Sequence, residues 1–170
     1  MTTNDSSAEM RAQLVALLPR LRRFARNLTR NPHDADDVVQ TALERALSRS
    51  SQWRTDARLD SWMFKIVRNA WIDTVRARSR HDRLFAPPEA GESVGDSPME
   101  REAGWLSVQA AMARLPEEQR SVVSLVLIEG LPYKEAADVL EIPIGTLTSR
   151  LARGREALQH MLGPRAESAS

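Results

Sequence analysis

An all-α fold in two small helical domains is what this 170-residue sequence predicts, on three observations. Apolar residues recur at spacings of three and four on both sides of the chain's middle; no run of alternating β-branched residues marks a strand; and the periodicity stops once, in an acidic stretch. That stretch, FAPPEAGESVGDSPMERE, holds Pro87, Pro88, Gly91, Gly95 and Pro98 with few large apolar residues, too little burial to offset ordering. The expected organisation is a helical domain over residues 8–83, a flexible linker over 84–104 and a second helical domain over 105–163.

The first helix is expected from about Ala8 to Arg30, with Leu14, Leu17, Leu18, Leu21, Phe24, Ala25 and Leu28 on one face and a basic opposite face. A second begins at Asn31–Pro32. Asn is a good N-cap, Pro suits the first helical position, and Asp34, Asp36 and Asp37 favour the positive end of the helix. Its apolar stripe is Ala35, Val39, Ala42, Leu43 and Ala46, which leaves His33, Asp37, Gln40 and Glu44 aligned on another face. Such a polar stripe fits plain solvated surface as well as a docking face.

After a loop carrying Trp53, a third helix is expected from about Arg58 to Arg80, burying Leu59, Trp62, Met63, Ile66 and Ala70. Its last turns carry Arg76, Arg78 and Arg80, which also suit the negative end of a helix. Trp62 and Trp71 lie about half a turn out of alignment, so one of them is expected near the surface, either capping the small core or free to stack on an unpaired base.

Beyond Leu115–Pro116, the run EEQRSVVSLVLIEG reads as one buried helix ending near Glu129–Gly130. A short helix comes next with Tyr133, Ala136, Ala137 and Leu140 inward, then a turn at Glu141-Ile142-Pro143 and a last helix opening at Ile144 or Gly145. Two short helices around a tight turn form a helix-turn-helix, whose second helix enters the DNA major groove. The last helix is expected to bury Leu147, Leu151 and Leu158 and to project Thr146, Ser149, Arg150 and Arg153; between Gly145 and Arg155 it carries three arginines and no acid. The same hairpin with a basic face also fits a protein-interaction module.

Charge sharpens this. The formal net charge is only +1, but from Arg58 to Arg83 seven bases oppose three acids, whereas from Leu84 to Glu100 there are four acids and no base. Basic clusters draw phosphate, and the acidic tether between them does not. The absence of cysteine excludes disulfides and cysteine-ligated zinc, and three histidines leave little for any other metal site. No apolar run reaches the roughly 18 residues of a membrane span, and the opening MTTNDSSAEM lacks the core of a secretory signal, so a cytoplasmic chain without membrane insertion is expected. No nucleophile–base pair, phosphate-cradling glycine loop or metal cluster is visible, and neither enzyme activity nor a cofactor is expected.

Three segments resemble extracytoplasmic-function sigma factors, two-domain members of the sigma-70 family. DADDVVQTALERAL is similar to the family's D-A-x-D-x-x-Q helix, SWMFKIVRNAWIDTVRARSR to its W-L-x-x-I-x-x-N-x-x-x-D-x-x-R helix, and YKEAADVLEIPIGTLTSRLARGREAL to its terminal helix-turn-helix. The resemblance covers about Leu14–Arg80 and Leu115–Leu158, and IGTLTSR followed by RGREAL is its most specific part. It implies a subunit that binds core RNA polymerase, recognises −35 and −10 promoter elements and assists melting, with nucleotide chemistry left to the polymerase.

By motif position the resemblance implies that Asp37, Gln40 and Glu44 contact the clamp helices of the polymerase β′ subunit, with the β flap as a further polymerase contact. It implies that Asn69 and Asp73 read or border a base flipped from the −10 element while Arg76, Arg78 and Arg80 hold phosphates. For the −35 element it implies Thr148, Ser149 and Arg153 near base edges and Arg150 and Arg155 on phosphate. Thr148 stands where the family often has a basic residue, which leaves the −35 sequence open. An anti-sigma factor is a further implied partner. The competing readings are a sigma-like mimic that sequesters an anti-sigma factor without binding DNA, which retention of Arg150, Arg153 and Arg155 disfavours, and a plain helix-turn-helix regulator, which leaves Asp34–Arg80 unexplained.

Overall fold

The computed structural model describes residues 2–53, 57–85 and 104–163, with side chains from residue 5 and, in the last stretch, from residue 107. Most of the expected linker, residues 86–103, lies outside the described residues. Seven α-helices and no strand occur among the described residues: α1 (Thr2–Thr29), α2 (Pro32–Ser48), α3 (Leu59–Phe85), α4 (Gly104–Arg114), α5 (Glu117–Val123), α6 (Tyr133–Leu140) and α7 (Ile144–Leu162). A 3-10 turn at Ser50–Gln52 succeeds α2, and a π-helical turn at Ser124–Ile128 succeeds α5.

Helices α1, α2 and α3 pack on one another through the stripes expected of them. Leu14, Leu21, Phe24, Ala25 and Leu28 of α1 meet Val38, Val39, Ala42 and Ala46 of α2 and Met63, Phe64, Ile66, Val67 and Ala70 of α3, all buried. Val38, Phe64 and Val67, absent from the expected stripes, are buried too, and Phe64 meets Phe24 edge-on, with ring centroids 5.1 Å apart. Local chemistry sets the boundaries. Arg30 takes a left-handed φ of 57° to end α1, and its N–H donates to the Arg26 carbonyl. The Asn31 side chain then accepts from the backbone N–H groups of His33 and Asp34 at 2.9 and 3.1 Å, capping α2 as expected.

Several expectations change. Helix α3 runs five residues past Arg80, so Leu84 and Phe85, expected in the linker, are its last residues. Arginine is a good helix former and no proline intervenes before Pro87, so nothing stops the helix at Arg80. Trp62 and Trp71 are both half-buried against the core edge, so neither is the free surface aromatic that their half-turn offset implied.

In the second half, the expected single helix to Glu129 breaks into α5 and the π turn, where Glu129 N–H reaches back five residues to the Ser124 carbonyl at 2.9 Å. Widening by one residue rotates the downstream chain by roughly 100°. The Glu129 side chain ends up wholly enclosed, against α1. Helices α6 and α7 form the helix-turn-helix. Ile142 N–H donates to Ala137 O and Glu141 N–H to Asp138 O, the Schellman pattern, with Glu141 at a left-handed φ of 55° where glycine is usual. Val139 joins Ala136, Ala137 and Leu140 inside, whereas Tyr133, expected inside, is exposed at the open start of α6. Gly154 sits where α7 crosses α5: a Cβ there would lie 2.6 Å from Val123 Cγ2.

The two halves pack together. Their buried apolar residues form one continuous cluster, with α3 against α6 and α1 against α5 and the π turn. Arg120 of α5 is buried and has no carboxylate partner among the described residues; it donates instead to the carbonyls of Asn27, in the last turn of α1, and Leu115, just past α4. Those helix ends carry the negative pole of the backbone dipole. Burial pulls the Arg120 guanidinium below its ordinary value, with the nearby Arg30 charge adding to the effect.

Candidate nucleic-acid and polymerase interface

Helix α7 turns Leu147, Leu151 and Gly154 inward, which fixes what faces out. Thr148, Ser149, Arg153 and Arg155 are exposed on its other side, and Ser149 and Arg153, four residues apart, share one stripe. The Thr148 hydroxyl donates to the Gly145 carbonyl at 2.9 Å, so its methyl and an oxygen lone pair remain for a ligand. Arg150 differs from its neighbours: it is half-buried and lies 3.6 Å from Glu118 of α5. Thr146 and Leu158 are likewise half-buried rather than fully out and fully in.

On α3, the residues singled out from the sequence separate into two sets. Asp73, Arg76 and Arg80, joined by Ser79 and Arg83, line an open cleft of about 520 Å³. Arg78 faces α2 instead. Its guanidinium holds the two Asp34 carboxylate oxygens at 2.9 and 2.6 Å and lies 5.8 Å from the centre of the Trp71 ring. The hydrogen bond from Arg78 holds the Asp34 carboxyl below the usual carboxylate range, against a smaller opposing effect of burial and with help from the Arg78 and His33 charges. The same bond raises the Arg78 guanidinium above its ordinary value.

Asp73 is paired as well, accepting from Arg45 of α2 at 2.9 Å, and Asn69 is half-buried one turn earlier on the helix. With Arg78 engaged by Asp34, the cations that line the cleft are Arg76, Arg80 and Arg83. Sequence reasoning missed the roles of Asp34, Arg45 and Arg83. Asp34 had an adequate role as a first-turn acid, and only the crossing of α2 and α3 reveals its partner.

Asp37, Gln40 and Glu44 form one exposed line along α2. His33 approaches it, 3.9 Å from Asp37. At the other edge of the bundle, Asp60 accepts from Arg58, Arg20 and the Ser61 backbone N–H. Burial pushes the Asp60 carboxyl up, but those hydrogen bonds and the Arg58 and Arg20 charges outweigh it and hold the carboxyl below its ordinary range. Among the described residues no group of three or more histidines, aspartates or glutamates is arranged to hold a metal ion, and no helix is long and apolar enough to cross a membrane.

Comparison with known proteins falls into the same two halves. Residues 14–68 match the family described as the Sigma2 domain of PhyR, and residues 105–158 match Sigma-70, region 4. The sequence is 38% identical over 143 residues to the ECF RNA polymerase sigma factor SigM of Mycobacterium tuberculosis, covering 84% of this chain and 71% of that one. It is 32% identical over 157 residues to the ECF RNA polymerase sigma factor EcfG of Rhodopseudomonas palustris, covering 90% and 84%. The fold matches the sigma factor RpoE of Bartonella quintana, solved in complex with the anti-sigma factor NepR, with a TM-score of 0.79 and 30% identity over 91% of this chain and 96% of that one.

Proposed function

The chain belongs to the extracytoplasmic-function sigma factors of the sigma-70 family, and from that premise we propose that it is a dissociable sigma subunit which binds core RNA polymerase, directs it to −35/−10 promoters and assists melting. Residues 8–85 form the core-binding and −10 domain and 104–163 the −35 domain, with the expected tether shortened to the stretch between α3 and α4. The observation that carries this reading is the presence on one chain of an arginine-lined cleft on α3 and a helix-turn-helix whose last helix exposes Thr148, Ser149, Arg153 and Arg155.

Asp37, Gln40 and Glu44 present the polar line that meets the β′ clamp helices, and the second domain meets the β flap. Asn69 and Asp73 border the unstacked −10 base, and Arg76 and Arg80, with Arg83, hold the phosphates beside it. Capturing an unstacked base offsets part of the cost of opening the duplex. Arg78 supports that surface from behind through Asp34. In the major groove at −35, Arg153 and Ser149 meet base edges, Thr148 offers a methyl and a hydroxyl, Arg155 takes phosphate, and Arg150 reaches phosphate only by leaving Glu118. The chain works in the cytoplasm, leaves the chemistry to the polymerase and is held in reserve by an anti-sigma factor.

The match of residues 14–68 to the PhyR sigma2 domain favours one second reading, a mimic that binds an anti-sigma factor and not DNA. Footprinting of promoter DNA by core polymerase with and without the chain separates the two. Joint protection of −35 and −10 segments that depends on the chain is the expected result; core binding without protection on any promoter of a randomised library supports the mimic.

A further inference from the structure

A buried ionic cluster among the described residues lies outside every surface assigned above. Glu129, at the end of the π turn, has a side chain with no solvent exposure, and both its oxygens are held from α1: Arg23 donates at 2.7 and 2.9 Å and Arg20 at 3.1 Å. Arg20 also donates to the Glu129 carbonyl at 2.9 Å, reaches Asp60 at 3.3 Å and lies 5.3 Å from the centre of the Phe64 ring. Asn27, one turn further along α1, donates to Ser124 at the other end of the π turn. A buried carboxylate is tolerable only while its partners stay, because removing one leaves an uncompensated charge.

This arrangement conflicts with the geometry of a promoter. Arg68 lies 3.2 Å from Glu141, Asn69 is its neighbour, and Thr148 is seven residues beyond Glu141. Even fully extended at roughly 3.5 Å per residue, with both side chains added, that path keeps Asn69 within about 45 Å of Thr148. Elements about 25 base pairs apart at roughly 3.4 Å per pair are separated by about 85 Å. The halves cannot grip both while packed as they are.

We propose that Glu129, seated between Arg20 and Arg23, is an autoinhibitory latch: it holds the −35 half on α1 in a closed state, and the chain engages a promoter only after this carboxylate is drawn out. The inference rests on the sigma reading for its consequence, but not for its geometry. Arg23 is the clean handle, since Glu129 is its one ion-pair partner among the described residues, whereas Arg20 also serves Asp60. Opening exposes Glu129 and Arg120 and frees Arg20 and Arg23 from their carboxylate, so the equilibrium responds to whatever partner binds one exposed half better than the closed pair.

The test is intramolecular energy transfer in the full-length chain, free in solution. The protein has no cysteine, so Ser48→Cys and Gln159→Cys, both at exposed positions, give unambiguous dye sites in the two halves. The expected result is a high-transfer population in the parent chain and a roughly tenfold larger low-transfer population in Arg23→Ala and in Glu129→Gln. The double variant opens no further than the singles, and Arg22→Ala, at an exposed neighbour, behaves as the parent. Helicity by circular dichroism separates opening from unfolding. Unchanged transfer in both variants, or additive effects in the double, overturns the latch. Core-polymerase binding measured on the same proteins keeps the two ideas apart: opening without core binding by any of them counts against the sigma reading and leaves the latch standing.

Discussion

Arg78 grips both carboxylate oxygens of Asp34 and so pins the distal half of α3 to the first turn of α2. This pair makes a pH prediction. The Asp34 carboxyl is held below its ordinary range in the folded chain, so the stability it contributes is fully present above its unfolded pKa of about 3.9 and is lost as pH falls through the lowered folded value. Arg78→Ala is expected to cost about 1 kcal/mol at pH 7, because the guanidinium is half-exposed, and the gap from the parent should close below about pH 4. Thermal melting from pH 7 to pH 3 checks this; a gap that stays constant contradicts it.

The separation of the α3 arginines makes a second prediction, read through salt. Removing one phosphate-binding cation from a single-strand complex lowers the slope of log affinity against log salt by roughly 0.7. Arg76→Ala and Arg80→Ala are expected to lower it by about that amount each when holoenzyme binds a −10 non-template strand. Arg78→Ala should change it less, since its charge is already occupied by Asp34. Equal slopes for all three variants contradict the division.

On α7, Arg153→Ala should weaken −35 selection by about 1–3 kcal/mol, the usual contribution of a bidentate arginine–guanine contact. Affinity for core polymerase should be unchanged. Arg150→Ala, starting from a side chain that is half-buried and near Glu118, should act more evenly across promoter sequences. Competition between −35 variants in a binding assay checks both; loss of core binding in Arg153→Ala contradicts the separation of roles.

Gly154→Ala tests the packing that aims α7. A Cβ 2.6 Å from Val123 Cγ2 must displace a fully enclosed side chain, for an expected loss of about 1–3 kcal/mol. The pairing of Gly154→Ala with Val123→Ala should recover part of it, since the second change makes room. Chemical denaturation of the parent, the singles and the double measures the recovery.

Features that act within one helix were legible in the sequence. Asn31 and Pro32 announce the start of α2, and Leu147 and Leu151 orient α7, because a cap or a stripe needs only the residues of its own element. Arg20 and Arg23 read only as part of a basic face, since their partner Glu129 lies more than a hundred residues away. The π turn that delivers Glu129 leaves no mark in the apolar spacing of SLVLI. Tyr133 fits the inward stripe of α6 by periodicity, yet at the first position of the helix it has nothing to pack under and stays exposed. Asp73 and Arg78 could be picked out from the sequence as candidates, but that Arg45 and Asp34 engage them depends on how α2 crosses α3.

The central claim is that this chain directs polymerase to promoters through two separate grips, and run-off transcription measures that most directly. Core polymerase, the full-length chain and a promoter library should give discrete transcripts that depend on the chain and share a −35/−10 pair, and a library with either element scrambled should lose them. Transcription that never rises above that of core polymerase alone, with the chain folded and bound to core, would contradict the account.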